Sequence, residues 1–203
     1  MYAKENGYRT IEVRTPDSDI FFILLHYIDK FESVTLLFDT GTGSHRKLIK
    51  MTEIACAYTR EYREALIGLH PFCGCESTSA FKGRGHVAPI KTLKKRSRLI
   101  NSLAQLGSAW IVSSDLTSEL EEFTCAMYGN LRFTEVDDIK HLKMTEKCED
   151  KASNALRNVD IGTLHPCKKC LVQHIKRAHY QVAIWKCPHI ADPDISEYMV
   201  VFL

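Results

Sequence analysis

Short runs of hydrophobic residues dominate the first fifty positions of the chain. Residues 10–14 alternate with the period of two that is typical of a β-strand, and Pro16 ends them because proline cannot donate to a sheet. Residues 20–31 are apolar over a helical length, and the continuous apolar run 34–38 predicts a buried second strand. Residues 47–51 are predicted to return as an edge strand. This order of elements indicates an α/β sheet.

The pattern changes to helical spacing after residue 51. Apolar residues three or four positions apart predict helices at 52–58 and 62–70. The same spacing predicts three later helices, at about 87–105, 115–128 and 169–186. Residues 129–163 are polar and only weakly periodic, so they are predicted to form a linker. The predicted fold class is therefore α/β, with a partial parallel sheet followed by a mostly helical C-terminal region.

The composition limits the class of protein. With 203 residues, 45% of them hydrophobic, the chain can bury a core of its own. Its apolar runs are far shorter than the roughly 20 residues of a membrane span, so we expect no membrane partner. Eight cysteines are scattered along the chain, which favours reduced thiols inside a cell over a disulfide scaffold.

Basic residues are concentrated in one segment, although the net charge is only +2. No acidic residue occurs between Glu76 and Asp115. The seven basic residues of this interval are Lys82, Arg84, Lys91, Lys94, Lys95, Arg96 and Arg98. A one-sided block of this kind attracts polyanions, because each neutralised phosphate releases condensed counterions. The alternative is a solvated basic helix face with no ligand.

Three acidic residues are candidates for a metal site. Asp17 and Asp19 follow the first strand, at the edge where an open α/β sheet places its ligands, and carboxylates bind hard cations such as magnesium. The competing interpretation is a turn at Asp17 with Asp19 capping the next helix. Glu76 precedes a hydroxyl-rich turn and the glycines of Gly83-Arg84-Gly85, which would allow a phosphate to approach the backbone.

These motifs together resemble a known family. The sequence Thr-Pro-Asp-Ser-Asp-Ile at 15–20, with Gly-Cys-Glu at 74–76 and Gly-Arg-Gly at 83–85, resembles the PIN-like domain of the flap endonuclease superfamily. The closer resemblance is to transposon-associated animal proteins that share His-Ala-x-Thr-Gly-Cys-Asp-x-Thr-Ser, here His-Pro-Phe-Cys-Gly-Cys-Glu-Ser-Thr-Ser at 70–79. They also share a phrase like Gln-His-Ile-Lys-Arg-Ala-His-Tyr-Gln-Val-Ala-Ile-Trp-Lys at 173–186. The likeness runs from about residue 10 to residue 187.

The resemblance implies a divalent-metal-dependent nuclease that hydrolyses phosphodiesters of nucleic acid, DNA rather than RNA. Asp17, Asp19 and Glu76 would be the catalytic ligands of Mg²⁺ or Mn²⁺ ions, which activate water and stabilise the leaving oxygen. The residues implied to grip backbone phosphates are Lys82, Gly83, Arg84, Gly85, Lys91, Lys94 and Lys95. Such a partner favours the nucleus over the cytoplasm. If the chain is active, the resemblance implies a structure-specific endonuclease or exonuclease.

The same resemblance divides the chain into four segments. Residues 1–75 would be the C-terminal half of a PIN-like α/β domain, and residues 76–128 a basic helical region similar to a helix-hairpin-helix. Residues 129–163 would be the linker, and residues 164–203 the C-terminal helix and tail.

Two departures from the family bear on catalysis. Glu76 stands where the family has Asp, and a displacement of about 1 Å at such a site can cost roughly 100-fold in rate. The family's other acidic ligands lie upstream of the first strand, whereas residues 1–9 contain only Glu5. We therefore expect a chain that begins inside its own active-site domain and whose nuclease site is incomplete. The alternative function is a non-catalytic domain that keeps the PIN-like fold and binds nucleic acid or protein.

A third hypothesis is a zinc-binding module near the C-terminus. Its candidate ligands are Cys167, Cys170, His174 and His179, with Cys187 and His189 nearby. Zinc prefers cysteine and histidine at short spacings, and Cys-x-x-Cys is a proper half-site. Against it stands a continuous helix whose apolar residues pack inward, namely Leu171, Ile175, Ala178, Val182 and Trp185.

Two further chemistries are disfavoured by the sequence. Cys73 and Cys75 with His70 could suggest a cysteine nucleophile, but buried thiols are the simpler interpretation. The glycine-containing loop at 41–43 lacks the lysine and the spacing of a nucleotide-binding P-loop.

Overall fold

A small mixed sheet begins the fold. The computed structural model describes residues 5–85, 87–129, 132–138 and 166–188. Strand β1 (Thr10–Arg14) pairs in parallel with β2 (Thr35–Thr40), and β2 pairs in antiparallel with β3 (Lys47–Lys50), in the order β1-β2-β3. Because Pro16 lies just beyond β1 and cannot donate to the ladder, the chain leaves the sheet there. The α/β fold class is confirmed, with one parallel strand pair.

Three helices connect the sheet to the rest of the molecule. Helix α1 (Ser18–His26) crosses from β1 towards β2, and a short 3₁₀ helix (Ile28–Phe31) follows it. The helix predicted over 20–31 is therefore interrupted at Tyr27, which caps α1. After the sheet come α2 (Met51–Cys56) and α3 (Arg60–Cys73).

The described part of the C-terminal region is mostly helical, as the periodicity predicts. Its helices include α4 (Val87–Lys95), α5 (Arg98–Gln105), α6 (Ser114–Met127) and α7 (Lys168–Lys186). The single helix predicted over 87–105 is wrong, because two helices occupy this span. The break lies at residues 96–97, between the two helices. The guanidinium groups of Arg96 and Arg98, which flank Ser97, both contact Glu122 of α6. Most of the predicted linker, and all residues after 188, lie outside the described residues.

Helix α3 is the centre of the core. Its last nine residues are all buried, and it packs against α1, α5 and α7. One hydrophobic cluster joins Leu36 of the sheet to Phe72 of α3, Phe123 of α6 and Ile175 of α7. The sheet, the basic segment and the C-terminal helix thus share a common core. Among the described residues, no helix is long and apolar enough to cross a bilayer.

Candidate functional site

Asp17 is a helix cap in the structure. Its backbone is extended at the start of α1, and its Oδ1 accepts a hydrogen bond of 2.8 Å from the Asp19 N–H. Helix N-termini leave such amides without intrahelical partners, and Asp is among the preferred residues to satisfy them. The capping role expected for Asp19 therefore belongs to Asp17.

Asp19 is held by a histidine from a distant helix. Its Oδ1 lies 2.7 Å from Nε2 of His70, in the last turn of α3. A carboxylate can only accept, so Nε2 carries the hydrogen and donates it. The imidazole is buried and stacks on Phe22 with ring centroids 4.3 Å apart, and the Ser18 hydroxyl lies 3.5 Å from the same Nε2. Both aspartates of the Asp-x-Asp motif are therefore engaged within the protein.

Glu76 is exposed on a tight turn that is anchored to α3. The Thr78 hydroxyl donates to the Pro71 carbonyl (2.6 Å), and the Cys75 N–H donates to the Thr78 Oγ1 (3.0 Å). Ser77 ties the turn to α7, because its hydroxyl donates to Gln181 Oε1 at 2.7 Å. The surrounding turn is thus well fixed, while Glu76 itself faces solvent.

The arrangement of these acids does not fit a preformed metal centre. Within residues 5–85, 87–129, 132–138 and 166–188, no three His, Cys, Asp or Glu side chains form a group that could hold a metal ion. Asp17, Asp19 and Glu76 all belong to these ranges, so the expected convergence of three carboxylates is not present. A two-metal centre needs several anionic ligands directed at one point.

The most completely buried carboxylate of this sheet edge is one that sequence reasoning missed. Asp39, at the end of β2, is 0% exposed and accepts two hydrogen bonds of 2.8 Å from Arg46. Arg14, its register partner on β1, lies 3.5 Å away. Hydrogen bonding by Arg46 lowers the pKa of Asp39, so the carboxylate is ionised. The guanidinium group of Arg46 already balances its negative charge. The sequence does contain a signal for this site, because Asp39 directly follows the apolar run 34–38.

The basic segment is divided between internal ion pairs and exposed lysines. Arg96 donates to Glu122 at 2.5 Å, and Arg98 contacts the same carboxylate oxygen. These two arginines are therefore partly neutralised. The lysines of the segment are exposed on α4 and on the turn before it: Lys82, Lys91, Lys94 and Lys95.

The Gly-Arg-Gly turn has the backbone that its glycines predict. Gly83 and Gly85 have φ angles of 75° and 51°, in the left-handed region that disfavours side chains. The Arg84 guanidinium lies 4.2 Å from the centroid of the Tyr128 ring, a cation–π contact that fixes the turn to the end of α6. Arg84 therefore has a packing role in addition to any role towards phosphate.

The proposed zinc ligands are mostly committed to the protein. His174 Nε2–H donates to the Phe72 carbonyl (2.8 Å). His179 is buried against the loop after α5, where its Nδ1 accepts from the Gly107 N–H. Cys167 caps α7 and Cys170 lies exposed in its first turn. Leu171 and Ile175 on the same helix are buried, as expected of the inward-packing alternative. Cys187 stands at the far end of α7, and His189 is outside the described residues.

Of the two thiols near His70, Cys73 is buried as expected, whereas Cys75 is only half-buried. Cys73 is 5% exposed, and burial raises the pKa of its thiol far above the ordinary range, which disfavours the nucleophilic thiolate. The Sγ of Cys75 lies 3.2 Å from the Thr78 hydroxyl and has no histidine partner among its described contacts.

Together, these features define an α/β protein with an exposed basic segment, in which the candidate acids Asp17 and Asp19 are engaged in structural contacts. Comparisons with protein-family models, with curated proteins and with solved structures found no match. The PIN-like resemblance therefore stays a prediction.

Proposed function

We propose that this chain is a non-catalytic, PIN-like domain that binds nucleic acid through the sugar-phosphate backbone. The observation that carries the proposal is the exposure of Lys82, Lys91, Lys94 and Lys95 in a segment with no acidic residue. An exposed lysine beside a phosphate gains affinity through counterion release, independent of base sequence. DNA is the favoured partner, and the nucleus the favoured compartment.

The contacts of the acids support binding without cleavage. Asp17 caps α1 and Asp19 accepts from His70, so neither carboxylate is directed with Glu76 at a common point. Recruiting them to a metal would leave the Asp19 N–H without its acceptor and His70 without its carboxylate partner. Both changes oppose metal binding in this conformation.

The test combines binding and cleavage on the same DNA. A labelled single strand and a labelled duplex are titrated with the protein, with and without manganese, and the products are resolved on a denaturing gel. We expect saturable binding with intact DNA, and unchanged affinity in Asp17→Asn and Asp19→Asn. Asn keeps the cap and the size of the side chain but removes the charge.

Two results would overturn the proposal. Failure of both DNA forms to bind at low salt would remove nucleic acid as the partner. Manganese-dependent cleavage that is lost in both Asn variants would replace it with the metal-dependent nuclease. Cleavage that survives both variants would indicate a contaminating enzyme or a different site, and would be resolved by repurification.

A further inference from the structure

A large cavity separates the turn after α3 from the C-terminal helix α7. Its volume is about 550 Å³, and its walls come from residues 79–82, from Tyr128 at the end of α6 and from one side of α7. Ligand sites for small organic molecules occupy about 300–1,000 Å³. The size therefore suits a ligand much larger than an inorganic ion.

The charged residues around this cavity are all cationic. Lys82 comes from the turn, and Lys169 and Arg177 come from α7, two helical turns apart on one face. None of the described residues that line the cavity is acidic. The cavity therefore favours an anion.

The remaining walls are aromatic and apolar. Phe81 and Tyr128 line the cavity, and their rings lie edge to face with centroids 6.4 Å apart. The ring of His174 also lines it; burial lowers the pKa of this ring, and its Nε2–H donates to the Phe72 carbonyl. Aromatic and apolar surface of this kind suits a flat organic group rather than a hydrated ion.

We propose that this cavity binds a single phosphorylated nucleotide, with its phosphate at Lys82, Lys169 and Arg177 and its base against the aromatic wall. Arg and Lys are the usual partners of phosphate in proteins. The nucleotide is either a free monophosphate or the phosphorylated end of a strand. Only the second source rests on the proposed function, since it requires a bound strand.

The experiment measures adenosine 5′-monophosphate binding by titration calorimetry. Because charge-assisted contacts to phosphate are lost, Lys169→Ala and Arg177→Ala should each raise Kd about tenfold or more. Gln173→Trp keeps every charge and fills the cavity, so it should weaken binding to a similar extent. Lys176→Ala removes an exposed charge from the same helix outside the cavity and should change Kd by less than about twofold. Thermal unfolding confirms that each variant is folded, and Arg177→Lys provides a milder replacement.

Oligonucleotides distinguish the two sources. Single strands with a 5′-phosphate, a 3′-phosphate or neither are compared in the wild type and in Arg177→Lys and Gln173→Trp. A preference for one phosphorylated end that the variants lose identifies a strand terminus, whereas adenosine monophosphate binding without such a preference identifies a free nucleotide.

Several outcomes overturn the inference. They are the absence of both kinds of binding, adenosine monophosphate binding that the cavity variants leave unchanged, and inorganic phosphate binding as tight as that of the nucleotide. If the cavity binds no nucleotide but lysine-dependent DNA binding is observed, the proposed function is retained and only the cavity inference is wrong. Cavity-dependent nucleotide binding without DNA binding would overturn the proposed function instead.

Discussion

At the scale of single residues, His174 and His179 of α7 have pKa values that burial lowers. His179 accepts a hydrogen bond from the Gly107 N–H at Nδ1 (3.2 Å) and donates from Nε2 to the Ala109 carbonyl (2.6 Å). The ring must therefore be neutral, and burial lowers its pKa. Burial likewise lowers the pKa of His174.

Because the pKa values of these histidines are lowered, we expect mild acid to destabilise the protein at a pH above the range in which carboxylates titrate. The ordinary histidine pKa is about 6.5 and the folded values are lower, so the unfolded chain binds more protons below that pH. The free energy of unfolding should be unaffected above pH 7.5. It should fall between pH 6.5 and 5.5, by at most about 1.4 kcal/mol per histidine. Urea unfolding at several pH values measures this, and His179→Gln should show a shallower dependence than the wild type. An equal slope in both proteins would contradict the assignment.

Asp17 allows a test that separates a helix cap from a metal ligand. Asp17→Ala should lower the free energy of unfolding by about 1 kcal/mol, because the first-turn amide loses its acceptor. Asp17→Asn should be close to the wild type, since Asn caps equally well. Thermal unfolding with and without manganese is the measurement. Manganese stabilisation of the wild type that both variants lack would assign Asp17 to a metal instead.

Local residue roles were predictable where their partners are adjacent in sequence. Asp17 and Asp19 were placed correctly at the end of β1, and a cap at this turn was foreseen. The bond between Asp19 and His70 joins residues 51 positions apart, so no local pattern could indicate it. Asp39 was missed for a related reason, because its partners Arg14 and Arg46 become visible only once the strands are aligned.

At the scale of elements, the crossing of α3 and α5 depends on a glycine. A Cβ built on Gly68 would lie 2.1 Å from the Leu103 carbonyl oxygen, which is far closer than van der Waals contact. Leu103 belongs to α5 and is fully buried. The two helices therefore approach as closely as they do only because residue 68 has no side chain.

This close approach reverses the usual effect of a helical glycine substitution. In an open helix Gly→Ala stabilises by about 0.5–1 kcal/mol, but here the new methyl group overpacks the core. Gly68→Ala should instead destabilise the protein by about 1–3 kcal/mol. Asn101→Ala, at an exposed position of α5, is the control and should be neutral or slightly stabilising. Chemical denaturation measures both, and stabilisation by Gly68→Ala would contradict the described packing.

Element prediction succeeded where hydrophobic periodicity decides the structure. The strand at 10–14 and the helix α7 were predicted to within a residue, because their buried positions repeat regularly. The break between α4 and α5 was not predictable from periodicity. It brings Arg96 and Arg98 to Glu122, a contact that depends on the position of α6.

At the scale of the whole molecule, α3 connects the two halves of the chain. Its buried last turn carries His70, which holds Asp19 beside the sheet, and Phe72, whose carbonyl accepts from His174 of α7. The same turn anchors the turn around Glu76, because the Thr78 hydroxyl donates to the Pro71 carbonyl. The basic surface and the cavity are therefore supported by one hydrophobic core.

The salt dependence of DNA binding tests the central claim most directly. Each phosphate contact contributes about 0.7–0.9 to the slope of log K against log salt, depending on whether the DNA is single- or double-stranded. Replacing Lys91, Lys94 and Lys95 by Ala should therefore weaken binding for every sequence and reduce the slope by about two to three. The matched control removes the same charge from three exposed lysines outside the basic segment, Lys30, Lys47 and Lys50.

The measurement is a fluorescence anisotropy titration at several salt concentrations between about 50 and 200 mM, a range over which phosphate contacts lose much of their affinity. We expect a steep slope of log K against log salt for the wild type and for the control. The triple variant of α4 should give a shallower slope. An unchanged slope in that variant, or a control that loses as much as it does, would contradict the account, since the α4 lysines would then be merely solvated.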